Sequence, residues 1–189
     1  TYSATKAYAF RGQILDQQTL TSLTESLDVD ELATKLKATA YDQAISRING
    51  KISAKKIENA CLEHVANIHY SLLKISPGTE LLLTYYLKHI ARNLKIILKG
   101  KALNKSDEEL RNHINLYPEE LIGRRDLIAK VLTAETLQDS VDSLTGSEFS
   151  KDITTAMKIY KENSQIDIFD VYIDKAYHVQ LSNTYKKLN

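Results

Sequence analysis

Lys88, Arg92, Lys95 and Lys99 follow one another at intervals of four, three and four residues. On a helix that spacing sets the four cations on one face as a basic ridge. The chemistry open to such a ridge is electrostatic: it can orient an acidic protein surface, a lipid headgroup or a phosphate backbone. A solvated helix face explains the same pattern, and positive charge near a helix C-terminus stabilises the helix by itself. Aromatic side chains that could stack on bases are thin along the ridge, with Tyr85 and Tyr86 nearby, so nucleic acid is the less favoured partner.

Residue patterns that support catalysis are missing. The glycines at 12, 50, 78, 100, 123 and 146 are too dispersed for a phosphate cradle, and Gly100-Lys101 lacks the earlier glycine of a P-loop. No Gly-x-Ser-x-Gly elbow occurs. Glu63-His64 and His69 have the wrong order and spacing to share a zinc ion, and no Glu-x-x-His pair exists for a carboxylate-bridged metal bundle. Asp174 and His178 stand one helical turn apart without a nucleophile. Cys61 is the single cysteine, so it can form neither an internal disulfide nor a cysteine zinc site, and its place on an apolar stripe suits a small packed side chain. No catalytic, cofactor-binding or metal-binding residue is therefore expected, and the chain is read as working by contact rather than as an enzyme.

The elements that must carry the ridge are helical. Six glycines and two prolines in 189 residues leave too little turn chemistry for an all-β fold, and Leu, Lys, Ala, Glu and Ile run in long unbroken stretches. Ile57, Cys61, Val65, Ile68, Leu72 and Ile75 form one stripe of a helix over about 53–75. Leu83, Leu87, Ile90, Leu94 and Ile97 form a second over about 80–99, with Gly100 suiting its C-terminus. Ser76-Pro77-Gly78-Thr79 breaks the chain between them, which predicts an antiparallel helical hairpin with Thr79 as an N-cap. Asp28 to Leu32 and the Ser106–Glu109 capping box read as helix starts, Pro118 as a first-turn proline, and 164–188 as a third long helix. No stretch is long and apolar enough to cross a bilayer, and no signal peptide is visible.

Charge and repetition divide the chain further. Residues 1–50 carry 5 basic and 6 acidic side chains, residues 51–105 carry 10 and 3, and residues 106–189 carry 10 and 15, within a net charge of +1. A shift of 108 residues sets Leu36 over Leu144, Tyr41 over Phe149 and Ile45 over Ile153. A duplication is expected, with a first helical unit over 1–105 and an incomplete second unit over 106–189.

The stretch Ile90-Ala91-Arg92-Asn93-Leu94-Lys95 through Gly100-Lys101-Ala102-Leu103, followed by Ser106-Asp107-Glu108-Glu109-Leu110, resembles the C subunit of archaeal and bacterial A-type ATP synthases, a relative of the d subunit of vacuolar ATPases. Tyr8 to Arg11, Leu36 to Tyr41 and Ile173 to Tyr177 are similar to other segments of that family, in the same order. Its members are longer and consist of three helical units arranged as a funnel, so the resemblance implies an all-α fold of tandem helical units and a chain matching the first unit and most of a second. It also implies a non-catalytic central-stalk adaptor, peripheral on the cytoplasmic side of the membrane, which joins the proteolipid ring to the central shaft subunits and transmits torque. On that reading the candidate partner-binding residues are Arg11, Lys88, Arg92, Lys95, Lys99, Arg124 and Arg125, because charge complementarity orients a joint of this kind. The alternative is a stand-alone helical module that binds another protein or nucleic acid.

Overall fold

The computed structural model describes residues 2–76 and 78–188. Among the described residues all regular structure is helical, and the chain divides by packing into two compact units, 1–77 and 78–189. The boundary drawn from the 108-residue echo, between 105 and 106, lies inside the second of these.

The first unit holds α1 (Tyr2–Arg11), α2 (Gln17–Thr24), α3 (Val29–Lys37), α4 (Asp42–Ser46) and α5 (Ala54–Ile75). Short polar side chains start three of them: Asp16, Asp28 and Ser53 accept the backbone N–H of Thr19, Glu31 and Lys56. Each cap satisfies a donor that the helix leaves unpaired. The core is small, with Ala33, Leu36, Ile45 and Ile57 buried and Leu23, Val29, Leu32, Tyr41 and Cys61 packed around them. Helix α1 buries no residue fully and packs on α5. The expected α5 is present, but most of its stripe is half-buried.

The second unit holds α6 (Glu80–Tyr86), α7 (Lys88–Ala102), α8 (Asp107–Arg111), α9 (Tyr117–Leu121), α10 (Arg125–Thr133), α11 (Leu137–Asp142), α12 (Ser150–Asn163) and α13 (Ile168–Leu188). Its core is far larger and runs from Leu87 to Tyr177, with Ile90, Leu94, Ile97, Leu98, Phe149 and Phe169 among its buried members. At about 1.5–3 kcal/mol for each large apolar side chain, this core is the main source of the unit's stability. Helix α7 lies at its centre and packs on α6, α8, α9, α10, α11 and α13.

Several expectations are corrected here. The helix over 80–99 is interrupted at Leu87, whose N–H donates to Thr84 at 3.1 Å, a three-residue turn that is tighter than an α-turn. The two helices of the expected hairpin fall in different units, and within the second unit α7 packs on α13. Lys95 meets Asp174 and Lys99 meets Asp170, so the residue number falls along α13 as it rises along α7, and the two run antiparallel. Helices α12 and α13 form a second antiparallel pair, joined by Lys175–Asp152 and by the Tyr160 and Phe169 rings at 5.4 Å. The last long helix starts at Ile168 rather than Ser164, because Ser164 takes the left-handed conformation (φ 57°) and ends α12. Thr79 precedes α6 without a side-chain cap, whereas the Ser106–Glu109 capping box is formed in full.

Gly100 does not end its helix. Helix α7 runs on to Ala102, and Asn104 (φ 55°) supplies the left-handed residue after it, with Lys105 N–H on Gly100 O at 2.9 Å and Asn104 N–H on Lys101 O at 3.0 Å. Gly100 is needed for space instead: a Cβ there would lie 2.1 Å from Cδ2 of Leu110, itself buried. Alanine gains about 1 kcal/mol of helix propensity over glycine, but overpacking an enclosed site costs about 1–3 kcal/mol. Gly100→Ala is therefore expected to lower stability by about 1 kcal/mol in denaturant titration, and Leu110→Ala in the same chain should make the two changes less than additive. A rise in the unfolding midpoint for Gly100→Ala alone would show that the contact is not the constraint.

Candidate partner-binding site

The ridge forms as the spacing requires, on the exposed side of α7, but it is not a bare cationic strip. Lys95 lies 2.5 Å from an Asp174 carboxylate oxygen and Lys99 lies 2.5 Å from one of Asp170, both on α13. Lys88 sits 4.3 Å from the centroid of the Tyr85 ring, and its ammonium donates to the Tyr85 hydroxyl at 3.1 Å. Arg92 stands between them, half-buried. Pairs this exposed contribute about 0.2–1 kcal/mol each. Two of them one turn apart on both helices also favour a single register of α7 against α13.

The other cations divide in the same way. The Arg124 guanidinium grips Glu148 with both forks, Nη1 to Oε1 and Nη2 to Oε2, the second at 2.7 Å. Burial would push the Glu148 carboxyl up, but the bonds from the guanidinium outweigh it and hold the group below the usual glutamate range. Arg125 is exposed. Arg11 is exposed at the C-terminus of α1, where it complements the helix dipole, and it borders a groove of about 530 Å³ lined by Phe10, Ile14, Tyr41, Val65 and Ile68. Of the seven candidates, Lys95, Lys99 and Arg124 are thus held in internal ion pairs, while Arg11 and Arg125 face solvent.

Residues that the spacing argument passes over carry the most specific polar contacts. Asn93 is buried, and its amide donates to the backbone oxygen of Asn115 and to Oε1 of Glu119, both at 2.8 Å. Its signal is present in the sequence, since Asn93 falls on the apolar stripe between Ile90, Leu94 and Ile97. Lys101, whose side chain is 8% exposed, donates to Asp107 at 2.7 Å and to the Ala134 carbonyl at the end of α10 at 2.6 Å. Nothing in the local sequence distinguishes Lys101 from a surface lysine. The Cys61 thiol is pushed up by burial and the His64 imidazole down by the same cause, with the His64 ring tilted against Tyr41 at 4.7 Å between centroids. Among the described residues no three His, Cys, Asp or Glu side chains gather as a metal-ligating group. No described helix is long and apolar enough to cross a membrane.

Because Glu148 is depressed in the folded chain, its pairing with Arg124 stabilises the protein above the ordinary glutamate value, about 4.3, and the contribution is lost as pH falls through the lower folded value. Glu148→Gln is expected to cost about 1–3 kcal/mol at neutral pH. The gap from the unmodified chain should close as denaturant titrations are repeated at decreasing pH. An equal gap at pH 7 and pH 3 would assign the loss to packing.

Residues 3–189 match the family model described as ATP synthase (C/AC39) subunit. The chain is 25% identical over 175 residues to the C subunit of the A-type ATP synthase of Methanocaldococcus jannaschii, covering 91% of this chain and 43% of that protein. It is 25% identical over 185 residues to the protein of the same name from Methanosphaera stadtmanae, covering 96% and 45%. A third such protein, from Methanosarcina acetivorans, is 23% identical over 155 residues, or 78% of this chain and 41% of its own. The chain thus spans less than half the length of these curated relatives. No solved structure matches it. A helical chain whose polar clusters serve packing, matched from residue 3 to its last residue, belongs to the ATP synthase (C/AC39) subunit family.

Proposed function

We propose that this chain is part of a central-stalk adaptor in a rotary A/V-type ATPase, linking the proteolipid ring to the central shaft and transmitting torque without catalysing a reaction itself. The observation that carries the proposal is the family match over residues 3–189, together with relatives named as C subunits of A-type ATP synthases. In this reading the chain lies on the cytoplasmic side of the membrane as a peripheral part of the complex. An adaptor must stay rigid under load, and the large core around α7 with its ion-paired α7–α13 contact suits that demand.

The proposed contact residues are Arg11, Lys88, Arg92 and Arg125. Lys95, Lys99 and Arg124 join them only where a partner's carboxylates compete with Asp174, Asp170 and Glu148. Purified shaft subunits and proteolipid ring should be captured by this chain at low salt and less well at moderate salt, because exposed charges are screened over about 8–10 Å. Arg11→Ser with Arg125→Ser should weaken capture by about 2- to 30-fold at low salt, the sum expected for two exposed charges, and by less as salt rises. Failure to capture either partner at low salt would overturn the adaptor reading and favour a separate helical binding module. Capture that ignores both the substitutions and the salt would place the contact on other residues.

A further inference from the structure

Helix α9 has five residues and buries two of them, Pro118 and Glu119. Glu119 is fully buried, where an ionised carboxylate is costly unless it is paired. Among the described residues no ion pair reaches it. Its Oε1 accepts the Asn93 amide at 2.8 Å, while Oε2, also buried, has no hydrogen-bond partner.

Helices α7 and α10 pack on α9, and Tyr86 at the end of α6 reaches it as well. From α7 come Asn93 and, one turn before it, His89, which is buried and stacks on Tyr86 at 4.8 Å. Lys88 is taken up by Tyr85, and Lys95 and Lys99 by α13. Arg92 is half-buried on the same ridge. At the start of α10 the Arg124 guanidinium is held by Glu148, and Arg125 and Asp126 are exposed. Glu120 of α9 and the preceding His113 are exposed as well. Glu119 thus meets the Asn93 amide, and three side-chain hydrogen bonds fasten its segment to α6 and α7. Tyr86 donates its hydroxyl proton to Pro118 O at 3.0 Å, and Asn93 donates to Asn115 O and to Glu119 itself.

The geometry points to Glu119 as a proton-binding site: docking of residues 115–121 on α7 takes up one proton from solvent, and ionisation of Glu119 loosens that segment. Burial pushes the Glu119 carboxyl up, and the bonds from Asn93 and from its own N–H offset this only in part. A value raised in the folded state gives a contribution that is complete below the ordinary glutamate value and is lost as pH rises through the folded value. The sign is opposite to that of Glu148. The inference is independent of any role in a rotary complex.

The test uses the whole chain with carbon-13 in its glutamate side chains. The Glu119 carboxyl carbon, assigned by through-bond correlation to its own backbone, is followed through a pH titration, and hydrogen exchange of the 115–121 amides is measured at the same pH values with intrinsic exchange divided out. Glu119 should titrate above the exposed glutamates. Between the ordinary glutamate value and that of Glu119, protection of the segment should fall by about tenfold per pH unit, the factor for one linked proton. In Glu119→Gln the protection should persist without this dependence. A Glu119 carbon that titrates in or below the range of exposed glutamates would overturn the inference in the unmodified chain alone, and so would protection of 115–121 that does not change with pH.

Discussion

A helix enclosed by its neighbours loses stability for each polar group it brings inside without a partner, and α7 is the helix to which this applies most. It packs on α6, α8, α9, α10, α11 and α13, yet its sequence includes Asn93, His89 and five basic residues. Apolar burial along Ile90, Leu94, Ile97 and Leu98 is worth about 1.5–3 kcal/mol per side chain, and one unpaired amide or ammonium in the same layer would cancel much of it. The surrounding elements are therefore placed by polar demands as much as by apolar ones. The 115–119 segment meets Asn93, the α8 start and the α10 end meet Lys101, and α13 meets Lys95 and Lys99. Where no polar group intervenes, the absence of a side chain does the same work, and Leu110 occupies the space that Gly100 leaves.

Two carboxyls of this unit respond to burial in opposite ways, and the difference lies in their partners. Glu148 faces a guanidinium with two parallel hydrogen bonds, so the charged form is favoured in spite of burial. Glu119 has a neutral amide on one oxygen only, so burial prevails. The same unit thus gains from ionisation at one glutamate and from protonation at the other.

The two units differ in how much of their apolar surface is enclosed. Among the described residues the first has a core cluster of four buried apolar residues, with Ala66 buried outside it, and the long α5 leaves Val65, Ile68 and Leu72 half-buried along a groove. The second encloses a core several times larger. A small core of this kind gives limited stability, so local opening is expected to begin in the first unit and last in α7. The larger core is the one built around α7, and the exposed cations Arg11 and Arg125 lie outside it.

From the sequence alone came the all-α class, the stripes of α5 and α7, the acidic helix starts with their capping box, the lack of any recognisable catalytic pattern and the likeness to the A-type ATP synthase family. All but the last rest on short-range rules, in which a residue is read with neighbours three or four positions away. The Lys88–Lys99 face is legible in the same way, but its use is not. Lys95 and Lys99 become internal ion pairs only because α13, some seventy residues on, lays Asp174 and Asp170 beside them. The pairing of α7 with α13 escapes the sequence for a related reason: it joins helices that lie far apart along the chain, and no local break or cap signals it. Glu119 looks like one acid of a helix start, and Gly100 looks like a stop. Tertiary structure decided both, since burial, and the distance from Gly100 to Leu110, are properties of what the rest of the chain brings up to a residue and cannot be read from its neighbours in sequence.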